Sequence, residues 1–442
     1  MLEKLQQTYT AVLRMRLIRV SAKRGNALGL VCVAMWIFSM AMTAEAAVLS
    51  LKRGIGVHDW LNWAPIEKDG SYRWPPYRSD VEWLKESRPD VNWPGGGEAE
   101  FARIRSMGFD FVRLAIDPGP MLANQGARRQ QALDILSSAV ERITASGLKV
   151  VFDIHSAAQV PAYSIDMVNG GADSKGVADY RQMVVEVAAM LVKFDTDKVA
   201  LEPFNEPAYD PCDWRSTDDW QRIMTATVRD IRAVSTELTI VATGACGGGI
   251  GGLINLDPIF DDPNIYYSFH MYEPHSFTHQ RSGKPDGAFV SGLPWPADAS
   301  TPEVVIETLK SQMDVAGVSA ADQQLNLSRA RPRIAQYFWE NSGQSQLEAR
   351  FRQATDWAEE HGIPTQRLFM GEFGVILMSD DGRKGAFEAD RSRYIAAVRK
   401  QAEQFGIPWA TWEYSNAQGM TLIPSTGPLA PDANLLRALG LP

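Results

Sequence analysis

Cysteine is scarce in this sequence, and its scarcity limits how the fold can be held together. The chain of 442 residues contains three cysteines, Cys32, Cys212 and Cys246. So few cysteines exclude a disulfide-rich scaffold, and Cys212 and Cys246 alone cannot form a structural zinc site. A chain of this length buries enough apolar surface to fold without disulfides or a structural metal ion. The sequence leaves open whether Cys212 and Cys246 form one disulfide or remain free thiols.

Long apolar runs are also rare, and the one that stands out lies near the N terminus. Five basic residues between Arg14 and Arg24 precede the apolar stretch Ala27–Met42, and Ala44-Glu45-Ala46 follows it. This order is typical of a secretory signal peptide. A membrane-spanning helix needs about 20 apolar residues, and the stretch Ala27–Met42 is shorter than that. We therefore predict a signal peptide over residues 1–46 and a secreted or periplasmic protein without stable membrane association after cleavage. An uncleaved anchor is the alternative, and translation starts at Met1 or Met15.

Basic side chains are outnumbered in the remainder of the chain. Residues 47–442 carry 38 basic and 51 acidic side chains, which gives a net charge of −13. An acidic surface disfavours nucleic acid and anionic membranes as partners, and it is compatible with a neutral polymer.

Apolar runs of β character alternate with helical patterns along residues 47–442, and no internal repeat or Ser/Pro linker interrupts them. Such alternation predicts an α/β fold, namely a single-domain (β/α)8 TIM barrel over residues 47–442. Long loops are expected after strand 1 (residues 62–97) and strand 6 (residues 271–366). The eight predicted strands are Arg53–Val57, Phe111–Ile116, Lys149–Ile154, Val199–Phe204, Leu238–Ala242, Ile265–Phe269, Leu368–Gly371 and Pro408–Trp412.

Polar or aromatic side chains lie on or just beyond six of these predicted strands. Burying charge at a strand end is costly unless it is paired, and barrel enzymes place catalytic residues at the C-terminal ends of strands. Packing alone does not explain six such ends, so we predict a functional site there. The residues are Arg113, His155, Asn205 with Glu206, His270 with Tyr272, Glu372 and Trp412.

The two glutamates indicate the type of chemistry. Glycosidic bond cleavage usually uses one carboxylic acid and one carboxylate that face each other across the bond. Glu206 and Glu372 lie on the predicted strands four and seven, which a closed barrel brings to one pocket. We expect Arg113 and Tyr272 to keep Glu372 ionised, and Asn205 to bind a sugar 2-hydroxyl.

Three further acidic residues are predicted to lie outside the catalytic pair. Asp153 lies one pleat deeper than His155, where we expect it to support a barrel arginine. Glu202 lies four residues before Glu206 and is also deeper, and we expect it to belong to an ion pair. Glu413 follows Trp412, and strand alternation predicts that it faces the helices.

The ordered set of an Arg, a His, Asn-Glu, a His with a Tyr two residues later, a Glu and a Trp resembles the active site of glycoside hydrolase family 5, the cellulase-like retaining β-glycosidases. The resemblance covers nearly all of residues 47–442. It implies that Glu206 is the general acid/base, that Glu372 is the nucleophile and that Trp412 lies under the sugar in the cleaved subsite. Arg113, His155, Asn205, His270 and Tyr272 are implied to bind substrate.

The expected activity is hydrolysis of β-linked glucans, as in an endo-β-1,4-glucanase, acting as a monomer on a polysaccharide or oligosaccharide without cofactor or metal. A β-mannanase, a β-1,3-glucanase and an exo-β-glucosidase are alternatives within the same class. A non-catalytic carbohydrate-binding barrel and a metal-dependent barrel enzyme are alternatives from different classes. Stacking on sugar rings is expected from one or two of the tryptophans near strand 1, which are Trp60, Trp63, Trp74, Trp83 and Trp93.

Overall fold

A computed structural model gives the conformation of most of the chain. It describes residues 49–91, 96–156, 159–163, 170–209, 212, 217–258, 260, 262–280, 290–379, 382, 384–415, 419–424 and 429–442. The predicted signal peptide and Trp93 lie outside the described residues. Within these ranges, no helix has the length and apolar character needed to cross a membrane.

Eight parallel strands pair in chain order and close into a barrel, which confirms the predicted (β/α)8 fold. The predicted bounds of strands two and three agree with the structure at both ends, and the others differ by one to four residues at an end. The strands are β1 (Arg53–Leu61), β2 (Phe111–Ile116), β3 (Lys149–Ile154), β4 (Val199–Glu202), β5 (Thr239–Thr243), β6 (Ile265–Met271), β7 (Leu368–Phe373) and β8 (Trp409–Thr411).

Helices cover the outside of the barrel and form more than half of the long loop between β6 and β7. Those in the described residues are α1 (Asp80–Ser87), α2 (Gly96–Ser106), α3 (Gly119–Leu122), α4 (Gly126–Ala145), α5 (Lys175–Leu191), α6 (Asp219–Val234), α7 (Ile250–Leu253), α8 (His275–Thr278), α9 (Pro302–Val315), α10 (Ala320–Glu340), α11 (Gln344–Glu360), α12 (Glu388–Gln404) and α13 (Ala433–Ala438). Short 3₁₀ helices lie at Pro161–Tyr163, Ala297–Ala299 and Thr365–Arg367.

The interior of the barrel is filled by side chains at its N-terminal end. Phe111, Tyr266 and Phe369 belong to a buried cluster that closes this end. A Cβ at Gly54 would lie only 2.1 Å from the Phe111 ring, so only glycine fits this position of β1. The C-terminal ends of the strands are left free to carry polar residues.

The helix α10 is longer than its sequence suggests. The sequence pattern predicts a helix-like stretch near Ser319–Ala330, and Pro332, a residue that disfavours helix interiors, follows it. The structure continues the helix to Glu340. The buried residues Ala330, Ile334 and Tyr337 keep one face of the helix packed beyond the proline. Burial of that apolar face explains why the helix does not stop where its local sequence would end it.

The question left open for the two cysteines is answered by the structure. Cys212 and Cys246 form a disulfide with a Cα–Cα distance of 5.0 Å. The bond links the loop that follows β4 to the loop that follows β5, on the face of the barrel that carries the polar strand ends.

Candidate active site

A buried arginine organises the centre of the barrel. The guanidinium of Arg113, which projects from β2, is fully buried. Its Nε donates to Glu202 at 2.7 Å, and Nη2 lies 3.1 Å from Asp153 and donates to Asn205 at 2.8 Å. Its Nη1 donates to Glu372 at 2.6 Å. The predictions that Asp153 supports the barrel arginine and that Arg113 contacts Glu372 are therefore confirmed. Glu202 belongs to an ion pair as predicted, and the structure shows that its partner is Arg113.

Glu372 lies on β7 and is almost completely buried. Besides the bond from Arg113, it accepts a hydrogen bond from the Tyr272 hydroxyl at 2.9 Å, and His270 Nδ1 lies 3.6 Å away. Burial alone would raise the pKa of Glu372, but His270 and Arg113 outweigh it and hold the pKa below its ordinary value. An ionised carboxylate at neutral pH suits a nucleophile.

Glu206 faces Glu372 from the loop that follows β4. Its side chain is 37% exposed, and its Oε1 lies 2.7 Å from His270 Nδ1. One oxygen of Glu206, one oxygen of Glu372 and a ring nitrogen of His270 all lie within 4.8 Å of one another. The barrel thus brings the two predicted carboxyl groups into one pocket.

His270 lies between the two glutamates at the end of β6. Burial lowers the pKa of its imidazole, but Glu372 and Glu206 outweigh that effect and raise the pKa above its ordinary value. Gly371 makes room for the ring, since a Cβ there would lie 3.1 Å from His270 Nε2. The imidazole thus forms a hydrogen bond with Glu206 through Nδ1 and lies 3.6 Å from Glu372.

A third part of the site is an aromatic wall. His155 Nδ1 lies 2.9 Å from Asp153, and its Nε2 lies 3.2 Å from the Asn205 side-chain amide. The His155 ring stacks on Trp412 at an interplanar angle of 17°. All eight residues predicted for the site therefore lie together at the C-terminal end of the barrel.

His58, which lies on β1, also belongs to this wall. Its ring centre is 4.8 Å from that of Trp412 and 5.2 Å from that of His155. His58 Nε2 accepts a hydrogen bond from the indole N–H of Trp63, and burial lowers the pKa of the imidazole. His58 and Asp59 directly follow the predicted first strand, a position that predicts a place beside the pocket, and the contacts of His58 with His155 and Trp412 agree with that prediction.

The described tryptophans near strand 1 lie in three different environments. Trp60 and Trp83 stack on each other in the core with ring centres 5.6 Å apart. Trp74 donates to Gln131, and a guanidinium lies 5.2 Å from its ring centre. Trp63 is 38% exposed and is held beside the aromatic wall by His58. Among the tryptophans of this loop that are described, Trp63 is the one that these contacts bring to the pocket.

The orientation predicted for Glu413 is wrong. Its carboxyl group is buried 3.8 Å from His58 Nδ1, beside the pocket wall and not among the helices. Strand β8 ends at Thr411, so the alternation of faces no longer applies two residues later. Burial raises the pKa of Glu413 well above its ordinary value, which favours the neutral acid.

The two glutamates and His270 also form a ligand set that a metal ion would accept. However, both oxygens of Glu372 already accept hydrogen bonds, from Arg113 and Tyr272. A divalent cation would have to compete with a guanidinium at 2.6 Å. The donor set thus fits proton transfer and nucleophilic attack by carboxyl groups better than metal binding.

Comparisons with known proteins agree with this geometry. The model of the family "Cellulase (glycosyl hydrolase family 5)" matches residues 77–418. Endoglucanase 3 of Fibrobacter succinogenes is 26% identical over 335 residues, which are 72% of this chain and 46% of that protein. Cellodextrinase A of Ruminococcus flavefaciens is 28% identical over 186 residues, which are 41% of this chain and 53% of that protein. The chain thus spans about half the length of these two relatives.

The fold is also found among solved structures. Endoglucanase Cel5A of Thermotoga maritima superimposes with a TM-score of 0.57 at 18% identity, covering 88% of this chain and 96% of that one. A structural similarity at this low identity shows a shared fold, whereas the match to the family model shows membership of the family. Since that model covers most of the chain, the protein belongs to glycosyl hydrolase family 5.

Proposed function

We propose that this protein is a retaining β-glycoside hydrolase in which Glu372 is the nucleophile and Glu206 is the general acid/base. The supporting observation is that oxygens of the two carboxyl groups lie within 4.8 Å of each other. Retaining enzymes hold the two groups about 5–5.5 Å apart, whereas inverting enzymes need about 6.5–9.5 Å to admit a water molecule between carboxylate and sugar.

In the first step, the ionised Glu372 attacks the anomeric carbon while Glu206 gives its proton to the departing glycosidic oxygen. The bond between the anomeric carbon and that oxygen breaks, and a glycosyl ester of Glu372 forms. Arg113 and Tyr272 hold the attacking carboxylate in one orientation through bonds of 2.6 and 2.9 Å. Asn205 and His155 are placed to bind sugar hydroxyls, and Trp412 to support the ring.

In the second step, Glu206 takes a proton from water, and the water oxygen attacks the same carbon. The ester bond to Glu372 breaks, so the product keeps the β configuration and Glu206 is protonated again. His270, which lies 2.7 Å from Glu206, is placed to stabilise either protonation state of that carboxyl group. No cofactor or metal enters either step.

The proposed substrate is a β-1,4-linked glucan that is cleaved internally. The names of the curated relatives, endoglucanase and cellodextrinase, support β-glucans as the substrate class. Crystal structures of Thermotoga maritima Cel5A hold cellobiose in one case and mannotriose in another, so the shared fold leaves β-mannan open. A β-1,3-glucanase or an exo-β-glucosidase would use the same pair of carboxyl groups, so the catalytic geometry leaves these two activities open as well.

Proton NMR of the first product formed tests the mechanism. Hydrolysis of an aryl β-cellobioside should release the β-anomer first, with the α-anomer appearing only through mutarotation. Initial release of the α-anomer would show inversion. Reducing-end release from β-glucans, mannans and short oligosaccharides then identifies the sugar, and the length distribution of early products separates internal from terminal cleavage.

Two further measurements separate the remaining classes of function. A non-catalytic carbohydrate-binding barrel would bind oligosaccharides without turnover in either wild type or Glu372→Gln. A metal-dependent enzyme would lose activity in EDTA, whereas the two-carboxyl mechanism predicts unchanged rates.

We also propose that residues 1–46 are removed during export and that the mature enzyme acts outside the cytoplasm as a monomer. N-terminal sequencing of protein exported by an expression host should begin at residue 47. Light scattering of that protein should give the mass of one chain.

A further inference from the structure

The disulfide lies close to the proposed general acid/base. Cys212 is six residues after Glu206 on the loop that follows β4, and Cys246 begins a turn three residues after the end of β5. Two neighbouring strand loops are therefore joined covalently on the catalytic face.

The turn Cys246–Gly249 packs directly against the site. Gly247 N–H donates to the carbonyl of Pro207 at 3.0 Å, which ties the turn to the residue that follows Glu206. The carbonyl of Gly248 accepts from the backbone N–H of His270 at 2.8 Å. The turn thus lies between the backbone of the acid/base and the histidine that contacts it.

Gly248 leaves little space in this arrangement. A Cβ at this position would be 3.4 Å from Glu206 Cγ and 3.4 Å from His270 Nδ1. Its φ of +69° is also one that residues with a side chain rarely adopt. The backbone of the turn therefore borders the side chains of Glu206 and His270 directly.

Glu206 has little support of its own. Within the described residues, the structure gives its carboxyl group one hydrogen-bond partner, His270, and the side chain is 37% exposed. Glu372, by contrast, is fixed by Arg113 and Tyr272. The position of Glu206 thus depends on where its backbone is held.

We propose that the disulfide Cys212–Cys246 is a positioning element for Glu206, which fixes the turn against Pro207 and keeps the acid/base carboxyl group within reach of the departing oxygen. This inference rests on the proposed function. A disulfide that merely stabilised the fold would affect every substrate alike, whereas one that positions the acid matters only where proton transfer is needed.

Aryl β-cellobiosides distinguish the two roles. Phenol is a poor leaving group that requires a proton from Glu206, whereas 2,4-dinitrophenolate leaves without one. In the double variant Cys212→Ser/Cys246→Ser, kcat/KM for phenyl β-cellobioside should fall by about 10- to 100-fold, the scale of a misplaced catalytic group. The value for 2,4-dinitrophenyl β-cellobioside should change by less than about twofold, because kcat/KM reports glycosylation, which needs no acid for this substrate.

The dinitrophenyl substrate also serves as the folding control, because its rate measures how many chains carry a competent Glu372. Equal losses on both substrates, or no loss on either, would overturn the inference. Glu206→Gln is the reference and should show the same leaving-group dependence more strongly. If Glu206→Gln affects both substrates equally, the proposed function itself has failed.

Discussion

Glu206 and Glu372 face one pocket but are held in opposite ways. Glu372 projects from a buried strand, and its two oxygens accept from a guanidinium and a phenol. Glu206 lies on a loop, is 37% exposed, and contacts a histidine. The surroundings of Glu372 fix a negative charge in place, whereas those of Glu206 leave its carboxyl group accessible to solvent. A nucleophile needs the first environment, and a group that must release and recover a proton needs the second.

The largest expected effect concerns Glu372, the proposed nucleophile. Glu372→Gln keeps the shape of the side chain but removes the attacking charge, so kcat on phenyl β-cellobioside should fall by at least about four orders of magnitude. Steady-state kinetics check this, with the exposed Glu360→Gln as the matched control that should retain wild-type rates. A loss smaller than about tenfold would assign the nucleophile to another residue.

A smaller and substrate-dependent effect is expected on the acid/base side. Glu206→Ala should lower kcat/KM for phenyl β-cellobioside by about 10² to 10⁴-fold, the usual contribution of general acid catalysis. Glycosylation of the enzyme by the dinitrophenyl substrate should be nearly unaffected. Sodium azide should then raise the turnover of the dinitrophenyl substrate by Glu206→Ala. The product should be the β-glycosyl azide, because azide attacks the glycosyl-enzyme without a general base. Absence of the azide product would argue against this role for Glu206.

The variant Arg113→Met tests whether the buried carboxylates around Glu372 depend on the guanidinium that contacts them. Arg113→Met leaves Asp153, Glu202 and Glu372 buried without the guanidinium that contacts them. The free energy of unfolding should fall by about 3–5 kcal/mol, as when one partner of a buried ion pair is removed. Urea denaturation measures the change.

The matched control is Arg142→Met, because Arg142 is 44% exposed and pairs with Asp80 on the outside of the barrel. This variant should cost less than about 1 kcal/mol. Equal losses for the two arginines would mean that the central ion pairs contribute little.

The smallest expected effect concerns one hydrogen bond. Tyr272→Phe removes the donor at 2.9 Å from Glu372 Oε2. This hydrogen bond lowers the pKa of Glu372, so its loss should raise that pKa. Since Glu372 must be ionised to attack, the acid limb of the kcat/KM profile should move to higher pH.

The rate at the optimum should fall by about 10-fold, in line with a hydrogen bond to a charged group. A profile that extends from pH 9 down to about pH 2, where the pKa of Glu372 lies, checks both effects. An acid limb at its wild-type position would show that Tyr272 does not tune the nucleophile.

Much of the barrel could be predicted because its signals are local. Burial of both faces produces continuous apolar strands, and helices between them carry their own stop signals. Polar residues such as Arg113 and His270 stand out against the apolar strands. Helix α10 was predicted too short, because tertiary burial beyond Pro332 overrides the local effect of a proline.

The sequence by itself determined the fold class, through the alternation of apolar runs and helical patterns, and the order of the polar groups at six strand ends. The tertiary structure decided the distances. Closure of the barrel brings oxygens of two glutamates, 166 residues apart in the chain, to within 4.8 Å. It also separated the exposed Trp63 from the buried Trp60 and placed Glu413 beside His58. Periodicity predicts which face a side chain occupies, but a contact between distant segments exists only once packing has fixed their loops.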